Sequence, residues 1–305
     1  MATKDYMFNN YKIIAEKFVE ENHHQKALRF YEKAYRLMTD FCDTEMLMDM
    51  ALLYDILGKP AKALEKYLEV IGANPDEASA YYGIAILYDE NKEYEKAADY
   101  YQKAIACDPG YDKAYFFLAN AYDEIGNTPK AIENYKKAIE VNPEYFWAYI
   151  NLGVIYEENG DNETAKKLLL QGLEIEPDNF KALFNLGVVT KKLGQLEEAI
   201  SSYERSIESN PGFAYSFLNL GVVYIEQNNK EKAIEIFSKG IEHNPEATYL
   251  YYNRACCYAQ LDMKEKALRD VIKSVELNED MEDFMKQDKE LESIRGLAAY
   301  KKLFT

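Results

Sequence analysis

The sequence predicts an all-α solenoid of eight helix–turn–helix units followed by a short C-terminal cap. Three observations predict it. Alanine recurs at a fixed period along almost the whole chain. A second small residue recurs in step with it, and proline closes most of the units. A repeat of roughly 20–50 residues marks an architecture that grows by stacking, each unit burying its apolar face against its neighbours.

The first register is Ala27, Ala63, Ala97, Ala131, Ala165, Ala199, Ala233 and Ala267; the first spacing is 36 residues and the other six are 34. The second is Ala15, Ala51, Ala85, Ala119, Gly153, Gly187, Gly221 and Ala255, each 12 residues ahead of its alanine. Pro75, Pro109, Pro143, Pro177, Pro211 and Pro245 close six copies. The units are 8–41, 44–77, 78–111, 112–145, 146–179, 180–213, 214–247 and 248–281, within a single domain over 1–305.

Within 112–145, Tyr115, Leu118, Ala119 and Tyr122 form the i, i+3, i+4, i+7 stripe of a buried helix face. Gly126 suits the left-handed residue that ends a helix. Ala131, Tyr135 and Ala138 mark the second helix, and Pro143 stops it. The small residues let the paired helices approach; Leu at Ala131 would overpack the contact by about 1–3 kcal/mol.

Residues 282–305 leave the period but keep apolar stripes in Phe284, Leu291, Ile294, Leu297, Tyr300, Leu303 and Phe304. A terminal repeat exposes an apolar flank, so these residues are expected to cap it.

Composition excludes several classes. Hydrophobic residues are 48% and charged residues 29%, the charges interspersed; 14 glycines and 8 prolines are too few for a turn-rich β fold. The formal net charge of −17 repels phosphate backbones, which argues against nucleic acid as a partner. The N-terminus has no apolar signal core, and no apolar run approaches the ~18 residues of a membrane span. Cys42, Cys107, Cys256 and Cys257 form no C-x-x-C pair, so they are expected to fill apolar slots in a reducing cytoplasm and to hold no metal. With three histidines, His23, His24 and His243, and no phosphate loop or nucleophile motif, neither enzyme activity nor a cofactor is expected.

The pattern resembles the tetratricopeptide repeat family over residues 8–281, most specifically in Ala-Tyr-Ile-Asn-Leu-Gly-Val-Ile-Tyr from Ala148 to Tyr156. Departures are Asn22 for glycine, Thr39 and Glu279 for proline, Thr190 for tyrosine, and Arg254 for an apolar residue. The run from Asp288 to Arg295 resembles the capping segments that end many bacterial repeat proteins. The resemblance implies a right-handed superhelix whose inner groove is lined by the first helix of each unit, at repeat positions 2, 5, 6, 9, 12 and 13.

Carried onto this sequence, position 6 gives an asparagine ladder, Asn151, Asn185, Asn219 and Asn253, each with a donor and an acceptor for a peptide backbone. Beside it runs an apolar strip: Trp147, Tyr215 and Tyr249 at position 2; Ile150, Phe184, Leu218 and Tyr252 at position 5; Val154, Val188 and Val222 at position 9. Positions 12 and 13 give an acidic lip, Asp55, Asp89, Glu90, Asp123, Glu124, Glu157 and Glu158. Carboxylates in the last helical turn oppose the helix dipole, so local stability does not explain them and a basic ligand segment would. Members that clamp a C-terminal carboxylate need a Lys and Asn set that never assembles here: Glu16 follows Lys12, and Leu218 and Val222 precede Asn253.

The expected function is a non-catalytic scaffold that holds an extended polypeptide segment, basic at one end, in the groove. The alternatives are a peptide-sensing regulator, whose effector would be a separate chain, and the non-catalytic arm of an enzyme complex. Self-association through end repeats stays open.

Overall fold

The computed structural model describes residues 2–39 and 41–304, with side chains from residue 4 onward. Among the described residues the regular structure is helical throughout. The first helices of the eight units are α1 (Ala2–Glu20), α3 (Thr44–Ile56), α5 (Ala78–Glu90), α7 (Asp112–Glu124), α9 (Phe146–Glu158), α11 (Phe180–Lys192), α13 (Ala214–Glu226) and α15 (Thr248–Gln260). The second helices are α2 (His24–Tyr35), α4 (Pro60–Ala73), α6 (Tyr94–Cys107), α8 (Thr128–Val141), α10 (Asn162–Ile175), α12 (Leu196–Ser209), α14 (Lys230–His243) and α16 (Lys264–Leu277). From α3 onward every first helix starts 34 residues after the last. Helix α1 starts at Ala2, ahead of the expected residue 8.

Every turn inside a unit is built the same way. The second residue after the first helix is left-handed, with φ between 57° and 81°: Asn22, Gly58, Lys92, Gly126, Gly160, Gly194, Asn228 and Asp262. The next N–H reaches back five residues, as Lys59 does to the Tyr54 carbonyl at 2.8 Å and Gln195 to that of Thr190 at 2.9 Å. This closes the helix by satisfying an orphan carbonyl. Asn22, where glycine was the norm, takes the same conformation, as asparagine tolerates it best after glycine. Thr190, standing for a tyrosine, is fully buried and bonds its hydroxyl to its own helix at Leu186 O, 2.7 Å.

The chain forms two compact units, Met1–Ala148 and Tyr149–Thr305. In the first, Tyr31, Tyr67, Tyr101 and Tyr135 of the second helices are almost wholly buried; in the second, Leu169, Tyr203 and Phe237 are. Leu169, Tyr203 and Phe237 lie opposite the glycine of their own first helix, and Tyr67 lies against Gly83 of the next unit. A Cβ added to Gly187 would sit 2.6 Å from Tyr203 Cε1. Such closeness buries the ring fully, at roughly 25 cal/mol per Å² of apolar surface.

The C-terminal segment folds as α17 (Met281–Gln287), a 3-10 helix (Lys289–Ile294) and α18 (Ala298–Leu303). Met285, Leu291 and Ile294 are fully buried in one cluster with Ala255, Cys256, Ala259 and Val271, so the segment covers the last repeat as expected. Of the cysteines, Cys256 and Cys257 are buried, Cys107 is half-buried, and Cys42 is exposed rather than packed in a slot.

The first-helix face as a candidate binding surface

In the unit Tyr149–Thr305, α11 buries Ala182, Leu183, Leu186, Gly187 and Val189 but leaves Phe184, Asn185 and Val188 half-buried. Helix α13 repeats this with Leu218, Asn219 and Val222, which share one face by their i, i+1, i+4 spacing. Aromatic contacts join the helices. Phe184 meets Phe213 edge-on at 5.2 Å, Phe213 lies 5.6 Å from Tyr215, and Tyr215 stacks on Tyr249 at 5.1 Å. Tyr215 remains 50% exposed. Between α9, α10 and α11 the face opens into a pocket of about 170 Å³ lined by Gly153, Val154, Glu157, Leu169, Phe184, Asn185, Val188 and Val189.

Two expected contacts are placed differently, Ile150 and Tyr252. Ile150 is only 3% exposed, so it belongs to the core and not to the free face. Its side chain turns into α10 because Gly172 leaves room; a Cβ there would lie 2.7 Å from Ile150 Cδ1. Tyr252 is committed to the cap, donating to Asp288 at 2.5 Å and packing on Phe284 at 5.4 Å. Trp147, 41% exposed, lies edge-on to Phe146 at 4.9 Å.

The asparagines are not uniform. Asn219 Nδ2 donates to the Tyr215 carbonyl at 3.0 Å and Asn253 Nδ2 to that of Tyr249 at 2.7 Å. One N–H of each amide is thereby committed to its own helix. Asn185 makes no such bond and lines the pocket; Asn151 is half-buried on α9.

The acidic positions divide by unit. Glu157 is ion-paired with Lys192, and Lys191 with Glu226 at 2.8 Å, while Glu158 is exposed. In the unit Met1–Ala148, Asp55, Asp89, Glu90, Asp123 and Glu124 form no ion pair among the described residues; Asp89 accepts from Tyr101 Oη at 3.0 Å. Burial pushes the carboxyls of Asp55, Asp89, Glu90 and Asp123 above their ordinary range. Repulsion adds to it: Glu124 acts on Asp89 and Asp123, and Asp55 and Asp89 act on Glu90. At repeat positions 6, 9 and 13 of the first helices, Ile13, Leu52 and Ile56 are 61%, 48% and 61% exposed.

Tetratricopeptide repeat profiles match residues 48–112, 100–133, 148–179, 168–201 and 192–269, and a TPR repeat profile matches 120–160, together covering 48–269 without a gap. The chain belongs to the tetratricopeptide repeat family. No curated protein sequence matches this tetratricopeptide repeat chain. Among solved structures, it is 31% identical to the crystal structure of MamA, over 54% of this chain and 95% of that one, with a TM-score of 0.50. It is 28% identical to YrrB, described as a TPR protein with an unusual peptide-binding site, over 61% and 96%, with a TM-score of 0.54. A tetratricopeptide repeat protein from Parabacteroides merdae ATCC 43184, 18% identical over 83% and 99% with a TM-score of 0.58, shares the fold. The repeat profiles and the likenesses to MamA and YrrB support a protein-interaction scaffold, a role for which the tetratricopeptide repeat fold is generally used without catalysis.

No described helix of this tetratricopeptide repeat chain is long and apolar enough to cross a membrane. One group of metal-ligand types converges among the described residues: Cys256, Asp288 and Glu290 place donor atoms within 4.8 Å of one another. Burial pushes the Cys256 thiol far up, Asp288 is half-buried and already accepts from Tyr252, and Glu290 is exposed, so the trio is a polar contact at the edge of the cap. Sequence reasoning missed Phe213, Ile13, Leu52 and Ile56. Phe213 sits just before α13, and an aromatic at the corresponding place in two other units, Tyr111 and Tyr145, was the available signal.

Proposed function

We propose that this chain is a non-catalytic scaffold that holds an extended polypeptide segment along the exposed face of its first helices. One observation carries the reading. Phe184, Val188, Leu218 and Val222, linked through Phe213, Tyr215 and Tyr249, form an apolar and aromatic row that the core leaves half-open. A contiguous apolar patch on a soluble protein marks an interaction site, and aromatic anchors carry most binding energy. The peptide-binding site named for YrrB supports the same reading.

The half-open row selects side chains. The amide oxygens of Asn219 and Asn253 accept from backbone N–H groups of the ligand, and Asn185 donates. Within the unit Met1–Ala148, the carboxylates of Asp55, Asp89, Glu90, Asp123 and Glu124, which form no ion pair among the described residues, suit Lys or Arg side chains of a ligand, and they repel nucleic acid. The reading keeps the chain in the cytoplasm, where the buried Cys256 and Cys257 stay reduced.

The test is selection of a random-peptide display library on the immobilised full chain, followed by titration of the enriched peptides. Val188→Glu and Val222→Glu are expected to weaken them about tenfold or more. Asp89→Asn/Asp123→Asn is expected to weaken only the basic ones and to flatten their salt dependence. Peptides bound equally by all the variants would overturn the reading.

A further inference from the structure

The pocket between α9, α10 and α11 arises from one residue. Sixteen residues after the small residue of the first helix, the second helices carry Tyr31, Tyr67, Tyr101, Tyr135, Tyr203 and Phe237. The fifth unit carries Leu169 there and the eighth Val271. In the sixth unit the Tyr203 ring crosses Gly187 and reaches Phe184, 5.9 Å away between ring centres. In the fifth, Leu169 meets Gly153, with an added Cβ 3.2 Å from its Cγ, and ends there. What lies beyond it is the space of about 170 Å³ walled by Val154, Phe184, Val188 and Val189. An apolar cavity of about 150 Å³ holds a benzene ring, so the space is ring-sized.

The polar side of the pocket follows the same internal template. In three of the five units with tyrosine in this register, its hydroxyl reaches a polar side chain of the first-helix face: Tyr31 to Asp49 at 2.6 Å, Tyr101 to Asp89 at 3.0 Å, Tyr135 to Asn120 at 2.5 Å; the Tyr203 hydroxyl is buried without a partner among the described residues. Asn185 occupies the repeat position of Asp49, lines the pocket, and has no hydrogen bond among the described residues. The wall therefore presents a ring-sized apolar space with one amide where a phenol hydroxyl would come.

We infer that this pocket receives one tyrosine side chain of the bound segment, its ring replacing the ring that Leu169 lacks and its hydroxyl meeting the Asn185 amide. The inference rests on the groove reading for its ligand, but the pocket itself is testable without any peptide. A phenol seated there leaves the extended backbone of the segment beside Val188 and Asn219, so one pocket sets the register of the whole segment. The mouth carries Glu157, neutralised by Lys192, so the pocket favours a neutral ring over a charged side chain.

The experiment titrates the full chain with p-cresol and with toluene, read by methyl NMR on Leu and Val. Wild type should show saturable p-cresol shifts at Val154, Leu169, Val188 and Val189, with toluene bound about fivefold more weakly, since it leaves the amide unpaired. Leu169→Tyr restores the residue of the sister units; it should raise the melting temperature and weaken p-cresol about tenfold or more. Should Leu169→Tyr not fold, Val188→Phe blocks the same space from the other wall and should have the same effect on binding. Asn185→Leu should abolish the preference for p-cresol over toluene. Shifts scattered outside the pocket, p-cresol binding that survives both blocking variants, or equal affinity for toluene would each overturn the inference. Display-selected peptides that need Val222 but show no aromatic preference would overturn it too, and leave the groove reading standing. A ring probe that binds as described while no peptide is ever selected would instead remove the groove reading.

Discussion

The Tyr203 ring lies across Gly187 so closely that a Cβ at Gly187 would fall 2.6 Å from Cε1 and 2.9 Å from Cζ. Alanine in a helix interior gains roughly 0.5–1 kcal/mol over glycine, whereas overpacking a closed contact costs about 1–3 kcal/mol. The second effect wins. Gly187→Ala is therefore expected to lower stability by about 1 kcal/mol in a denaturant melt. The loss stays at the low end because Tyr101 and Tyr135 already live with Ala85 and Ala119 in the same register.

Lys92 holds φ at 60° in a turn where Gly58, Gly126, Gly160 and Gly194 stand in the sister units. A side chain there costs roughly 1–2 kcal/mol, and glycine returns part of that through the entropy of the unfolded chain. Lys92→Gly should raise stability by about 0.5 kcal/mol, and Gly126→Ala should lower it by about 1 kcal/mol. Chemical denaturation of the two variants checks both signs.

Arg254 and Asp270 form a forked ion pair, 2.7 and 2.9 Å, between α15 and α16. Their side chains are 17% and 10% exposed, and Arg254 also donates to Ser238 Oγ at 2.9 Å. Removing one partner leaves a buried charge, so Asp270→Ala should cost about 3 kcal/mol. Arg254→Leu/Asp270→Ile, the residue types of the seventh unit, should recover most of that loss. A double-mutant cycle by thermal melting gives both numbers.

Asp55, Asp89, Glu90 and Asp123 have carboxyls raised in the folded state by burial, with repulsion from Glu124 added at Asp89 and Asp123 and from Asp55 and Asp89 at Glu90. The folded chain therefore binds these protons more tightly than the unfolded chain. Their ionisation destabilises the fold, a cost absent below the ordinary carboxylate range and fully present above the raised values. Asp55→Asn/Asp89→Asn/Asp123→Asn should thus melt higher than wild type at about pH 7 and converge with it towards about pH 4. Asn at position 89 still accepts from Tyr101, so the hydrogen bond at 3.0 Å survives the change.

The period was legible because each unit repeats the same steric necessities. Ala131 and Gly187 must be small, the turns need left-handed residues, and Pro143 cannot continue a helix. Half of the face was legible for the same reason, since Phe184, Val188, Leu218 and Val222 sit at fixed repeat positions. The rest depended on a partner's identity. Ile150 turned inward because Gly172 faces it, Tyr252 was claimed by Asp288 from the cap, and two asparagines each turned one N–H to their own helix. Arg254 looked like a flaw until Asp270, sixteen residues on, supplied its charge partner. Such pairings are visible only when two departures from the period are read together.

The central claim is that the row through Val188 and Val222 receives a polypeptide. A photoreactive benzoylphenylalanine placed at position 188 in cells, with position 204 on the opposite helix as control, tests it most directly; Glu204 is exposed on α12. The account predicts crosslinks from 188 to one recurrent linear segment of a partner, lost on Val222→Glu and absent from 204. Equal yields from both positions, or crosslinks from 188 only to the chain's own residues, would contradict it.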